Sequence, residues 1–290
     1  MTQKVLEWIA GELRAGRIVA SAVVISAHGS VPGKPGARLA LSASGESMGT
    51  IGGAGLEYGV QQRLEELLEA DGPGGEVATY QLAKGAKGYE VVALDSLCGG
   101  QVTIAMEVML PMPHVLLMGG GHVAAAIATT CDQLGWSHSL HDTRSGFSTE
   151  EMFPRAEERH NSSVEAFLEG EDLASLQRFS HILLLGHDWG EDEARLLGLL
   201  ERLGAAVALR PRIGVIASRA KWKAFSAAAL ESGHSDELLE HVICPIGLNI
   251  GAESPEEISV AVCAQLIAAQ KEVRPEAQNW RERAAGSDLN

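Results

Sequence analysis

The sequence predicts an α/β protein in which an N-terminal α+β domain precedes a doubly wound domain built on a parallel sheet. Before residue 111 the predicted strands are clustered, whereas beyond residue 113 strands and helices alternate, as in proteins with a parallel sheet. Pro111 and Pro113 separate the two patterns. We therefore predict domains over residues 1–110 and 114–275, followed by a polar tail over residues 276–290.

The N-terminal half begins with a helix over residues 2–15, predicted from the spacing of its apolar residues, and an apolar strand over residues 18–27. The loop over residues 28–38 is rich in glycine and proline and carries the two cations Lys34 and Arg38. The remaining predicted elements are, in order, a short strand over 39–41, a glycine-rich turn over 48–55, a helix over 56–70 and strands at about 77–82, 89–94 and 102–109.

The second half begins with a strand, a glycine turn and a helix. An apolar run over residues 115–118 is followed by three glycines and then by a helical pattern that ends near Leu134. Gly119-x-Gly121-x-x-Ala124 fits the dinucleotide-binding fingerprint. In that fingerprint the first glycine allows the tight turn and the second lets the backbone approach a pyrophosphate at the helix N-terminus.

Asp142 ends the next predicted strand and lies 23 residues beyond Gly119. A carboxylate about 20 residues beyond the glycines is expected to bind a ribose, so the pattern favours a Rossmann-type fold with a nucleotide site. The alternative is a doubly wound domain that keeps this topology and binds no nucleotide.

Further strands are predicted at 182–185, 213–217 and 242–244, the first two leading into helices. Ser254-Pro255-Glu256-Glu257 is a capping box that opens a helix through about Gln270. Ligands of open α/β sheets bind beyond the carboxyl ends of the strands. Several residues that follow strands should therefore gather at one edge, namely Gly119 to His122, Asp142, His187, Asp188, Ser218 and Arg219.

Composition narrows the classes of function. The net charge of −15 argues against non-specific nucleic-acid binding, which requires a basic surface. No apolar run approaches the 18 or so residues that span a bilayer, and the N-terminus does not resemble a signal peptide, so we expect no membrane association and a cytoplasmic protein. The four cysteines include no C-x-x-C pair, and Cys131 and Cys263 lie on apolar helix faces where burial is expected.

Cys98 precedes Gly99 and Gly100 in a predicted turn, where its thiol is sterically open. It could coordinate a soft metal or carry sulfur, and the alternative is a cysteine that only fills a strand end. Lys34 and Arg38 could bind a phosphate or another oxyanion, or could be solvated surface charges.

Histidines lie near acidic residues at two strand ends, but without the spacing of known zinc motifs. His138 and His141 near Asp142, and His187 beside Asp188, are therefore better explained as strand-end residues than as metal ligands. The sequence offers no convincing pair of nucleophile and base.

Glycine- and proline-containing motifs recur along nearly the whole chain. The N-terminal ones are residues 29–38, residues 49–53 with Leu56 and Glu57, and Cys98-Gly99-Gly100 with Val102. The C-terminal ones are residues 119–124, 142–144, 153–156, 186–188, 213–219 and 245–258. In these motifs the sequence resembles the XdhC/CoxI family of accessory factors for xanthine dehydrogenase and related molybdenum hydroxylases.

The resemblance implies a chaperone that binds molybdenum cofactor, supports its sulfuration with a cysteine desulfurase and delivers it to the apo-hydroxylase. It makes Cys98 the leading candidate for contact with the cofactor and its molybdenum. The sequence departs from the family where Ala54-Gly55 replaces the cysteine of some members, and where Ala217 precedes Ser218-Arg219 in place of the more usual glycine.

Three hypotheses follow, in order of preference. The first is the cofactor-binding chaperone, with Cys98 on the metal side and the glycine-loop crevice holding the pterin or nucleotide-like part. The second is an NAD(P)-dependent oxidoreductase, and the third is a regulatory module that senses a nucleotide and binds a partner. We thus predict a maturation factor in preference to a catalyst. The glycine-rich turns and apolar strands also suggest a homodimer.

Overall fold

Two six-stranded sheets organise the chain in a computed structural model that describes residues 2–70, 72–82, 92–94, 99–208 and 210–275. The described chain divides into two units, Met1–Pro113 with Ala174–Phe179, and His114–Leu173 with Ser180–Asn290. Cys98, the first part of the strand predicted at 89–94, and the tail predicted at 276–290 lie outside the described residues.

The first unit is built on a mainly antiparallel sheet with strand order β3-β2-β1-β6-β4-β5, in which β4 and β5 are parallel. Its strands are β1 Val19–Gly29, β2 Arg38–Ser42, β3 Ser47–Thr50, β4 Gly75–Leu82, β5 Val92–Leu94 and β6 Gly100–Met109, and its helices are α1 Thr2–Arg14 and α2 Ala54–Glu69.

Helix α2 covers one face of this sheet because its buried residues recur at helical spacing. Leu56, Val60 and Leu64 pack against inward residues such as Ile104 and Val24. Helix α1 contributes Val5 and Ile9 to a separate cluster with Val19 and Ala40. Each fully buried aliphatic side chain contributes about 1.5 to 3 kcal/mol to folding.

The second unit is built on a parallel sheet with strand order β12-β11-β10-β7-β8-β9, and the predicted fold class is confirmed. Beyond residue 113 the strands are β7 His114–Met118, β8 Ser137–Asp142, β9 Arg159–Asn161, β10 His181–Leu184, β11 Arg212–Val215 and β12 Val242–Ile243. The helices are α3 His122–Leu134, α4 Val164–Glu169, α5 Leu173–Leu176, α6 Trp189–Leu203, α7 Arg219–Glu231, α8 Asp236–Glu240 and α9 Pro255–Gln270.

Strand β7 is the switch point of this sheet, since the chain continues to β8 on one side and later to β10 on the other. Helices α3 and α9 pack together on one face, where Cys131 and Cys263 are buried as predicted. The predicted capping box is confirmed, because Ser254 Oγ accepts from the Glu257 N–H while the Glu257 carboxylate accepts from the Ser254 N–H.

The sequence predicted a single glycine-rich turn over residues 48–55, and this prediction is wrong. Residues 47–50 instead form β3, which pairs antiparallel with β2, and α2 begins at Ala54. Gly49 permits this pairing, because its φ is 96° and a Cβ there would lie 2.3 Å from the Arg38 carbonyl oxygen. The short elements β9, α4, α5 and α8 were not predicted from the sequence.

None of the described helices is long and apolar enough to cross a membrane.

Candidate functional site

The turns that follow β7 and β10 touch at the carboxyl edge of the parallel sheet. Gly119 has a φ of 116°, and a Cβ at this residue would lie 2.8 Å from the Gly186 nitrogen. The Gly119 N–H also donates to the His141 carbonyl oxygen at 2.8 Å. Close backbone approach thus holds the glycine loop against the ends of both neighbouring strands, where sequence analysis expected a ligand crevice.

The three glycines of this loop have different surroundings. A Cβ on Gly120 would lie 1.7 Å from the Phe147 carbonyl oxygen, whereas a Cβ on Gly121 would have nothing within 4 Å. Gly121 is the N-cap of α3 and has no side chain to cap the first N–H groups, while His122 is exposed and Ala124 is buried. The space next to Gly120 is therefore filled by neighbouring backbone, so the loop is closed there. The space next to Gly121 is free, so the loop is open on this side, beside the helix N-terminus.

Asp142 is buried directly beneath this loop. Its carboxylate accepts from the Gly120 N–H at 2.7 Å and from Arg144 through the backbone N–H, Nε and Nη2 at 2.8, 3.0 and 2.7 Å. Burial alone would raise the pKa of this carboxyl, but the hydrogen bonds from Arg144 and Gly120 outweigh it and lower the pKa to about 2. Asp142 is thus an ionised anchor for Arg144.

A buried charge cluster that the sequence analysis missed lies next to Gly186. Asp192, which is 0% exposed, accepts from Arg195 Nη1 at 2.9 Å and from Lys221 Nζ at 2.7 Å. Glu191 contacts Arg195 at 3.3 Å and accepts from the Thr143 hydroxyl at 2.8 Å. This cluster could have been recognised in the sequence, because two acids lie three and four residues before Arg195 in a predicted helix, which is the spacing of ion pairs on one helix face.

The other predicted edge residues lie at helix starts. Asp188 caps α6 by accepting from the Glu191 N–H at 2.9 Å, and Ser218 caps α7 by accepting from the Lys221 N–H at 3.2 Å. His187 and Arg219 are exposed beside them. The structure therefore gives Asp188 and Ser218 capping contacts and leaves His187 and Arg219 accessible to solvent.

The histidines of the parallel sheet are buried. His138, His141 and His181 are at most 6% exposed. Burial, together with nearby arginines, lowers the pKa of His141 and of His181 to about 4. No group of three or more His, Cys, Asp or Glu side chains among the described residues could hold a metal ion.

These buried rings predict how stability depends on pH. Between pH 4 and about 6.5 the unfolded chain binds protons at His141 and His181 that the folded chain does not, so the free energy of unfolding should fall as the pH decreases through this range. Urea unfolding of His141→Gln should show a shallower pH dependence than the wild type. His122→Gln, at an exposed position, is the matched control, and an equal loss of slope in both variants would contradict this assignment.

The glycine-rich motifs of the first unit converge at one end of its sheet. The Ser30 N–H donates to the Gly99 carbonyl oxygen at 3.0 Å, and a Cβ on Gly100 would lie 2.5 Å from the His28 carbonyl oxygen. A Cβ on Gly33 would likewise lie 2.3 Å from the Ile51 carbonyl oxygen. Three segments that are distant in sequence thus pack backbone against backbone.

The two cations of this region differ in setting. Lys34 is exposed in the loop, whereas Arg38 is half-buried as the first residue of β2. The neighbouring turn over residues 50–52 already binds an anion of the chain, because Glu57 accepts from the N–H groups of Ile51 and Gly52 at 3.2 and 3.3 Å and from the Thr50 hydroxyl. Lys34 is therefore the more accessible of the two predicted cations.

Comparison with known proteins gives matches to both units. A family model described as the XdhC Rossmann domain matches residues 115–266, and one described as the XdhC and CoxI family matches residues 12–81. Uncharacterized protein YqeB of Escherichia coli (strain K12) is 29% identical over 249 residues, which cover 86% of this chain and 43% of that protein.

A protein of Bacillus subtilis (strain 168), described as a probable xanthine dehydrogenase subunit, is 29% identical over 165 residues, covering 56% of this chain and 44% of that protein. The chain thus spans less than half the length of these curated relatives. A solved structure described as a xanthine dehydrogenase from Bacillus halodurans has 17% identity and a TM-score of 0.47, and covers 97% of this chain and 99% of that chain.

Proposed function

The chain belongs to the XdhC and CoxI family, and from this premise we propose that it is an accessory factor in the maturation of a xanthine dehydrogenase-type molybdenum hydroxylase. In this proposal it binds molybdenum cofactor, supports its sulfuration together with a cysteine desulfurase and inserts it into the apo-hydroxylase. It acts as a chaperone and does not itself catalyse the hydroxylation.

The observation that carries this proposal is the convergence of the glycine-rich segments in the first unit. Gly99 and Gly100 follow Cys98 and pack against the backbone of residues 28–30, so side chains larger than hydrogen would not fit at Gly100. Such close backbone packing fixes the position of Gly99 and Gly100. Cys98 itself lies outside the described residues, and its role is taken from the family resemblance.

These residues suit the chemistry of the cofactor. Molybdenum cofactor supplies, when bound, a soft metal–sulfur centre and a pterin with a terminal phosphate. A cysteine thiolate at position 98 is a soft donor for the metal side, and the exposed ammonium of Lys34 is a donor for an oxyanion. Taken by itself, the second unit also has a position that suits an anionic group, at the open side of Gly121 and the N-terminus of α3.

Cofactor retention tests this proposal. The full chain is incubated anaerobically with molybdenum cofactor, passed through an ultrafiltration membrane and assayed for retained molybdenum and pterin. We expect retention by the wild type and a loss of at least about tenfold in Cys98→Ala, because a thiolate–metal bond is removed. Cys244→Ala is the matched control. Cys244 is a half-buried thiol in the other unit, so the Cys244→Ala variant should retain the cofactor.

Two outcomes would count against the proposal in different ways. Equal retention by the wild type and both variants would remove Cys98 from the site. No retention by any of them would contradict the chaperone function itself.

A nucleotide-binding role is the second candidate, favoured by the loop that is open at Gly121 beside the uncapped start of α3. It would make the chain either an NAD(P)-dependent oxidoreductase or a regulatory module. Oxidation of NAD(P)H by the purified chain would favour the oxidoreductase. Nucleotide binding without an effect on hydroxylase maturation would favour the regulatory module.

We also propose that the chain is cytoplasmic and forms homodimers. The first sheet offers a surface for self-association on the face opposite α2, where Val23, Ala105 and Val77 lie side by side in register. Val77 is 70% exposed, which is unusual for a valine in the middle of a strand.

A further inference from the structure

The carboxylate of Asp142 has no capacity left for a ribose. A carboxylate offers about four lone-pair positions, and this one accepts four hydrogen bonds, one from Gly120 and three from Arg144. The residue is also only 1% exposed. A ribose hydroxyl could bond to Asp142 only by displacing a charge-assisted hydrogen bond, which is costly in a buried setting.

Arg144, in contrast, is held rigidly and remains accessible. Nε and Nη2 bond to Asp142, and Cζ lies 3.5 Å from the centroid of the Phe147 ring. The side chain is 30% exposed, and its Nη1 group has no hydrogen-bond partner in the part of the chain that the structure describes. An immobilised guanidinium with unused N–H groups is suited to bind a phosphate.

The glycine loop lies beside this guanidinium. The same turn that carries Arg144 places the Phe147 carbonyl oxygen against Gly120, and Gly120 donates to the carboxylate that holds Arg144. Glu191, whose charge also acts on Arg144, is already bonded to Arg195 and to the Thr143 hydroxyl. An anion near Gly121 would therefore be attracted both by the positive charge of Arg144 and by the positive end of the α3 helix dipole.

We propose that Arg144 binds the phosphate monoester of the ligand held at the glycine loop, and that Asp142 is a positioning residue for Arg144 and not a ribose ligand. The ligand class is thus a phosphate monoester, carried either on a ribose as a 2′-phosphate or on a pterin as its terminal phosphate. The pterin source rests on the proposed function, whereas the 2′-phosphate source does not.

Binding of NADPH and NADH to the full chain tests the first source, because these probes differ only in the 2′-phosphate. Titrations followed by nicotinamide fluorescence should give NADPH an affinity at least about tenfold higher than that of NADH. Arg144→Gln should lower the affinity for NADPH at least about tenfold. It should leave the affinity for NADH unchanged or higher, because the carboxylate of Asp142 regains lone pairs that can accept hydrogen bonds. Arg144→Lys, which keeps the charge but loses the fork, should lie between the two.

Arg155→Gln is the matched control, since it removes the same charge from an exposed arginine of the same unit and should leave both affinities unchanged. Anaerobic retention of molybdenum cofactor by Arg144→Gln tests the second source. Loss of the cofactor in this variant, with no preference for NADPH in the wild type, would support the phosphate assignment and identify the pterin as its source.

Two results would overturn the inference. One is a wild type that binds NADH as tightly as NADPH and an Arg144→Gln variant that retains molybdenum cofactor fully. The other is an equal effect of Arg144→Gln and Arg155→Gln on every probe. A preference for NADPH that depends on Arg144, in a chain that retains no molybdenum cofactor, would uphold this inference while the proposed function failed.

Discussion

Asp192→Asn is expected to lower the free energy of unfolding by about 3 to 5 kcal/mol. The substitution leaves the guanidinium of Arg195, which is 1% exposed, and the ammonium of Lys221 without their shared counter-charge. Arg195 Nε already lacks a hydrogen-bond partner, so the 3.3 Å pair with Glu191 is the compensation that remains for the guanidinium among the described residues. Chemical denaturation, followed by far-ultraviolet circular dichroism, measures this loss.

Glu191→Gln is the matched control for this substitution. Glu191 precedes Asp192 in the first turn of α6 and also pairs with Arg195. Its side chain is 29% exposed, however, so water already weakens the attraction between the two charges. We expect it to cost less than about 1 kcal/mol. In an Arg195→Met background, Asp192→Asn should cost less than in the wild type, because one buried cation is gone. Equal costs for Asp192→Asn and Glu191→Gln would show that burial of the cluster contributes nothing.

The long periodic elements of the second unit could be predicted from sequence. The apolar run of β7, the three glycines and the periodic face of α3 each indicate the same strand–turn–helix unit, and Ser254-Pro255 marks the start of α9. Local pattern and tertiary structure agree in these segments. Elements such as β9 and α8, with 3 and 5 residues, are shorter than the windows over which periodicity can be recognised.

The candidate site was only partly predictable, for a different reason. Sequence spacing places Asp142 at a strand end, but it does not say whether the carboxylate is available to a ligand. That depends on Arg144 and Gly120, which reach Asp142 only once the turn over residues 143–148 has folded back. The pairing of Asp192 with Lys221, 29 residues away, depends likewise on the packing of α6 against α7.

Gly120→Ala is expected to destabilise the chain by about 2 to 3 kcal/mol, because the new methyl group would lie 1.7 Å from the Phe147 carbonyl oxygen. The atoms that the new methyl group would meet are the backbone and Cβ of Phe147, and none of them is the end of a flexible side chain. The backbone of the glycine loop or of the 143–148 turn therefore has to move. That movement should lengthen the hydrogen bond from Gly120 to Asp142. Thermal and urea unfolding of the variant measure the cost.

Gly121→Ala separates the folding role of this loop from its ligand role. Its Cβ would meet nothing within 4 Å, and the residue has a φ of −74°, so we expect a change in stability of no more than about 0.5 kcal/mol. The methyl group would nevertheless stand where a phosphate must approach the start of α3, so NADPH affinity should fall at least about tenfold. Equal stabilities of the two alanine variants would contradict the closed packing at Gly120. Undiminished NADPH binding by Gly121→Ala would mean that the ligand does not approach through the open side of the loop.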